Sequence, residues 1–221
     1  MDAFSTLECK LLPECTMDVV AMTLNAVEQQ EDIGWPAALL HAAMPLLKKG
    51  LGRKPLDQRL LTLMSCFYSA WAGIRYRGGP CRKWRSSWMP EQLRGARPGG
   101  RTQDVSFALC QLVELARAGG LELHSVLLDR VKCFDRLERK LQLKLMEKAG
   151  CPSGIVAARR KWYDHHERRM RLGQAYGPPF QAKNRCLQGG VWSIDDIGLI
   201  MACWVYDLER AVPNAEPGVS G

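Results

Sequence analysis

The residues best suited to chemistry in this chain fall within one short stretch, Leu127-Leu128-Asp129-Arg130-Val131-Lys132-Cys133-Phe134-Asp135. An apolar run arrives at the carboxylate of Asp129, and the aromatic Phe134 follows a few residues later. A carboxylate at a strand end suits a hard cation such as Mg²⁺, which takes one or two carboxylates together with substrate phosphates. The same carboxylate can equally cap a turn. A second stretch, Cys186-Leu187-Gln188-Gly189-Gly190-Val191-Trp192-Ser193, offers glycines that admit close backbone approach and an amide, Gln188, that both donates and accepts. The third group is basic. Arg82, Lys83 and Arg85 interleave with Trp84 and Trp88, and Arg168, Arg169, Arg171 and Lys183 lie on one expected hairpin. Such cations meet phosphates while aromatic rings stack bases, although a tryptophan pair four apart also makes a packed helical face. His165 and His166 are adjacent and do not share a helical face, so no metal role is expected of them.

The elements that must position these groups follow from periodicity. Residues 121–128, rich in Leu and Val and preceded by Gly119-Gly120, read as a buried strand. Asp135 has the chemistry of an N-cap, with Glu138 closing a capping box. Behind it a helix over 136–149 places Leu137, Leu141, Leu145 and Ala149 on one face. Thr102 opens another over 103–118, with Val105, Leu109, Leu112, Val113 and Ala116 facing the core. These two helices are expected to pack on 121–128 as a central strand. Residues 17–30 predict an amphipathic helix, and 37–47 a second run that Pro45 should end or kink. Residues 56–75 read as a short strand continuing into a buried helix. A helix over 155–163 carries Arg159, Arg160 and Lys161 on its polar side. Residues 167–172 and 180–186 form the hairpin, and a helix over 193–211 buries Ile197, Ile200, Met201, Trp204, Val205 and Leu208. Three regions result: an acidic helical lead-in (1–34), a basic region (35–101) and a mixed region (102–221).

Bulk properties narrow the function classes. With 221 residues, 47% hydrophobic and 24% charged, the chain can bury a real core and is not of disordered composition. No apolar run reaches the roughly 18 residues that span a bilayer, and no membrane partner is expected. Nine cysteines, an odd count without a Cys-x-x-Cys, read as reduced and largely buried, hence an intracellular setting. The net charge of +8 is unevenly placed: −6 over residues 1–47, +11 over 48–101 and +6 over 151–185. Two basic blocks flank the near-neutral segment holding Asp129. Such blocks suit a polyanion bound through counterion release, or form an ordinary solvated surface.

Lys132-Cys133-Phe134-Asp135 after Asp129 resembles motif A of reverse transcriptases of the non-LTR retrotransposon and group II intron type. Asn184, Leu187, Gln188, Gly189 and Ser193 are similar to motif B, with Arg185 where the family has a glycine. Trp35-Pro36, Lys48-Lys49-Gly50, Arg59-Leu60-Leu61, Tyr68-Ser69-Ala70-Trp71 and Arg75 resemble the progression through the family's fingers. The resemblance spans about 35–217. It implies an α+β fold: fingers and part of a palm, with an antiparallel palm sheet packed by helices. It implies RNA-directed DNA synthesis, with an RNA template, a DNA primer, deoxynucleotides and Mg²⁺. By carry-over Asp129 is the catalytic metal ligand, and Phe134 lies under the nucleotide's sugar. Gln188 and Gly189 line the nucleotide pocket, and Lys48, Lys49 and Arg59 approach the triphosphate. The family's Tyr/Phe-x-Asp-Asp hairpin should follow the motif B helix, and the sequence stops at Gly221 where it should begin. Asp195-Asp196 opens a helix and is no substitute. The expectation is therefore a fragment that is inactive alone, with a non-catalytic nucleic-acid-binding remnant as the alternative.

Overall fold

The computed structural model describes residues 5–48, 58–97, 99–130, 133–182, 184, 186–187 and 189–213, with the side chains of Thr6, Arg59, Ala96 and Asp135 left aside. The described fold is mixed α and β. Helices α1 (Thr6–Lys10) and α2 (Glu14–Gln29) lead in, followed by strands β1 (His41–Leu47) and β2 (Arg59–Leu60). Then come α3 (Cys66–Arg77), α4 (Gly79–Trp88), α5 (Thr102–Gly119), α6 (Cys133–Arg136), α7 (Arg139–Lys148) and α8 (Ser153–His165). Strands β3 (Glu167–Leu172) and β4 (Ala175–Tyr176) precede the long α9 (Ser193–Ala211). Among the described residues no helix is long and apolar enough to cross a membrane.

The sheet has the order β2-β1-β3-β4. It corrects the antiparallel expectation at its centre, where β1 and β3 run parallel from His41↔Glu167 to Pro45↔Arg171. Parallel neighbours need a long crossover, and the helices between residues 47 and 167 supply it. The edges are antiparallel: Leu47↔Arg59 on one side and Arg171↔Tyr176 on the other. The expected helix over 37–47 is replaced by one 3-10 turn (Ala37–Leu39) and then β1. Pro45 would remove a hydrogen bond and clash inside so short a helix, at about 3 kcal/mol or more. In the strand its carbonyl still accepts from Leu61 N–H at 3.3 Å.

The core is aromatic. Trp35 meets Tyr68 and Trp71 edge-on, with centroids 5.3 and 5.1 Å apart, and Tyr68 stacks on Trp162 at 4.2 Å. Two of the buried indoles find backbone acceptors: Trp35 Nε1 donates to Ala158 O at 2.8 Å and Trp162 Nε1 to Leu39 O at 3.1 Å. Lys161, assigned to a polar face, instead donates to the carbonyls of Val27, Gln30 and Ile33 and closes the end of α2.

Residues 121–128 do not form the expected central strand. They run as irregular chain from 121 to 130, with Leu121 72%, Val126 80% and Leu127 87% exposed. A strand persists only where its N–H and C=O groups are paired, and among the described strands none pairs with this stretch. Its alternation also breaks at Val126-Leu127-Leu128. Consequently α5 forms as predicted but buries no side chain. Nor does Asp135 cap the next helix: it lies within α6, and α7 starts after Glu138. The buried face of α7 is Arg139, Gln142, Leu143 and Met146, while Leu141 is exposed.

Candidate functional site

Three segments far apart in sequence meet at the glycine loop before α9. Cys186 N–H donates to Phe134 O at 2.9 Å, which joins the loop to half-buried Phe134 on α6. Gly189 has φ +100°, where a side chain is strained, and a Cβ there would stand 2.8 Å from Leu61 Cδ1 and 3.4 Å from Thr62 O. The chain following β2 therefore lies directly against the loop. That chain is in turn held to β1 by reciprocal bonds, Leu63 N–H to Ala43 O at 2.7 Å and Ala43 N–H to Leu63 O at 2.9 Å. On the other side Gly190 N–H donates to Leu187 O at 2.8 Å and the Ser193 hydroxyl donates to the same carbonyl. The loop is fixed from both sides.

Phe134 and Gly189 thus belong to one assembly, Phe134 bonded to the loop at Cys186 and Gly189 packed against Leu61. Lys48 stands exposed at the end of β1, beside the Leu47↔Arg59 pair, so the backbone brings Lys48 and Arg59 to one end of that ladder. Lys49, Lys183 and Gln188 lie outside the described residues. Asp129 stands apart, exposed on the irregular chain.

The basic side chains divide into surface and interior. Arg82 and Lys83 are exposed on α4, while Trp84 and Trp88 are buried beneath them, the packed-face alternative. Arg85 turns inward: its guanidinium lies 4.0 Å from the Tyr76 ring centroid and donates to Tyr76 O at 2.9 Å. On β3, Arg169 is exposed and Arg171 lies 5.7 Å from the Tyr176 ring centroid. Arg168 is buried and its Nε donates to His166 Nε2 at 2.9 Å, so it presents no charge at the surface. This bond makes Nε2 the acceptor, and Nδ1–H then donates to Tyr163 O at 3.2 Å. Burial, with Arg168 and Arg139 nearby, pushes the His166 imidazole down to about 3. Beside the β1–β3 ladder an open cleft of about 350 Å³ is lined by His41, Ala42, Ala43, Arg169 and Tyr176.

Beneath the glycine loop lies a buried charged cluster that the sequence reading missed. Arg159 and Asp196 are each 1% exposed and form a forked ion pair at 2.8–3.1 Å. Asp196 also accepts from the Cys186 thiol at 3.2 Å. Burial opposes the Arg159 charge, but Asp196 beside it holds the guanidinium well above its ordinary value. Asp195 is equally buried, and Arg85 Nε approaches only to 3.9 Å. Among the described residues neither Asp195 oxygen has a hydrogen-bond partner. Burial, with Arg85 partly compensating, pushes its carboxyl up to about 7. The signal was present: stepping back three and four residues from the apolar Leu199, Ala202 and Val205 reaches Asp195 and Asp196.

Asp129 is the one carboxylate the resemblance offers as a metal ligand, and a two-ion centre needs ligands on both sides of the transferred phosphate. Among the described residues no group of three His, Cys, Asp or Glu side chains gathers to hold a metal. Asp195 and Asp196 face the interior. The described residues therefore do not fit a two-ion Mg²⁺ centre. No protein-family model matches the chain, and none of the curated proteins matches it in sequence.

Proposed function

We propose that the chain is a reverse-transcriptase-like fingers and partial palm segment that binds nucleic acid through its basic surfaces. What supports this reading is that one glycine loop is held both to the Phe134 carbonyl, through Cys186, and to the Leu61–Thr62 chain, through Gly189, and that Phe134 and Gly189 are residues the resemblance assigns to the nucleotide. Lys48 and Arg59 at the end of the β1–β2 ladder supply cations for a triphosphate or template backbone. Arg82 and Lys83 on α4 and Arg169 on β3 extend the basic surface, and an RNA template, a DNA primer and deoxynucleotides are the ligands this reading names.

The binding-only form of this reading is favoured by one further observation. Asp196 is committed to Arg159, and Asp195 is buried beside it, so neither offers a second carboxylate to a reacting phosphate. Binding of labelled single-stranded RNA and DNA, with primer extension in Mg²⁺ or Mn²⁺ alongside, tests both parts. The expected result is salt-sensitive binding without extension. No binding at low salt overturns the assignment, and extension abolished by Asp129→Ala overturns its binding-only form.

A further inference from the structure

We propose that the open cleft beside the β1–β3 ladder is a single-stranded RNA site, where an unstacked base lies on Tyr176, a phosphate meets Arg169 and a ribose hydroxyl meets Glu167. This rests on the nucleic-acid reading above and gives it a place and a ligand class. Paired strand residues share a face and neighbours alternate. The register therefore sets His41 and Ala43 of β1, Glu167, Arg169 and Arg171 of β3, and Tyr176 of β4 on one side of the sheet. Ala42 and Arg168, on the other side, are buried. The first side stays open, with Arg169 exposed and Tyr176 49% exposed. The short side chain of Ala43 leaves a hollow between larger neighbours, and the cleft there holds about 350 Å³. Small-ligand sites run from roughly 300 to 1,000 Å³, so this one suits a single nucleotide unit and not a duplex.

The groups are ordered along the strands. Glu167 and His41 stand at one end, Arg169 beside Ala43 in the middle, and Arg171 with Tyr176 at the other. Arg171 is tied to its own hairpin: Nε donates to Gly173 O at 2.9 Å, and the guanidinium lies 5.7 Å from the Tyr176 ring centroid. The ring is thus steadied by a cation while half of the residue remains open. Such a ring offers a π-face to any base, and stacking combined with cations on phosphate is how single strands are held. A duplex keeps its bases stacked within and has none to offer. At the far end His41 Nδ1 lies 3.6 Å from the Glu167 carboxylate and has no hydrogen-bond partner among the described residues. A carboxylate is a poor neighbour for phosphate, but it accepts from a hydroxyl. RNA carries a 2′-hydroxyl on every sugar where DNA has none. Glu167 therefore decides for RNA.

Fluorescence anisotropy with the full chain at low salt tests this, using a short labelled RNA strand, its duplex, and a DNA strand of the same sequence. The RNA strand should bind more tightly than either of the others. Tyr176→Ala should weaken RNA binding by about fivefold or more, the least that losing one base stack costs, while Tyr176→Phe binds as the parent does. Glu167→Ala should abolish the preference for RNA over DNA. A single strand bound no better than its duplex, or a Tyr176→Ala chain with parental affinity, overturns the cleft site and leaves the wider basic-surface reading standing. Equal affinity of the parent for RNA and DNA overturns the assignment to RNA. No binding of any strand overturns the site together with the reading it rests on. Photocrosslinking of the unmutated chain to RNA containing 4-thiouridine is the second arm. Crosslinks should fall in the tryptic peptide spanning 172–183, which holds Tyr176, and crosslinks confined to other peptides contradict the placement.

Discussion

Replacing Asp195 with asparagine isolates the energetic consequence of a buried carboxyl whose oxygens find no donor among the described residues. In the folded chain Asp195 titrates at about 7, against an ordinary value of 3.8. At about 1.4 kcal/mol per pKa unit, ionising it in place costs roughly 4 kcal/mol relative to the unfolded chain. With 1% exposure there is little solvent screening to discount. Below pH 3.8 both states hold the proton, and its contribution is fully present. Between 3.8 and about 7 the unfolded chain releases the proton while the folded chain keeps it, so stability falls as pH rises, and above about 7 the loss is complete. Asparagine has no such titration. The difference in unfolding free energy, variant minus parent, should therefore increase by about 1.4 kcal/mol per pH unit across this window and level off above it. Urea unfolding followed by tryptophan fluorescence from pH 5 to 8 measures it. A difference constant across that range would refute the placement of Asp195 as a buried, unpartnered carboxyl.

Two other outcomes follow from the same interior. His166, with its folded value at about 3, should stay neutral from pH 7.5 to 4.5 by NMR, so stability falls as pH drops from about 6.5 toward 3. A resonance titrating near its ordinary value and lost in His166→Gln would contradict the buried tautomer. Arg159→Met leaves Asp196 buried without its cation and should cost about 3–5 kcal/mol. Arg159→Met with Asp196→Leu should recover most of that, and a double variant as unstable as the single would show that the ion pair is not the source.

Helices with a sharp apolar stripe or a clear stop were legible: α2, α3, α5 and α9 form close to where periodicity places them, and so does β3. What the pattern hid was orientation. Arg139 and Gln142 on α7, Arg159 on α8, and Asp195 and Asp196 on α9 all lie on buried faces, and a reading that sends charge outward rotates each helix wrongly. Hydrophobic periodicity cannot reveal a buried ion pair, because the partner's place is set by tertiary packing. The 121–128 stretch failed differently: local composition favoured a strand, but a strand depends on a neighbour that composition does not supply. At the candidate site, the glycines and Phe134 were readable from residue type alone. Their meeting with Leu61 and Thr62 was not, since it arises from the crossover that lays β1 beside β3.

The salt dependence of RNA binding tests the central claim most directly. Anisotropy of a labelled single strand should give an affinity that falls linearly with salt on logarithmic axes, with a slope of about 0.7 per phosphate neutralised. Arg82→Gln, Lys83→Gln and Arg169→Gln together remove three exposed cations and should flatten that slope by about 2 while weakening binding. Absence of binding at low salt, a flat salt dependence, or a triple variant that binds as the parent does would contradict the account.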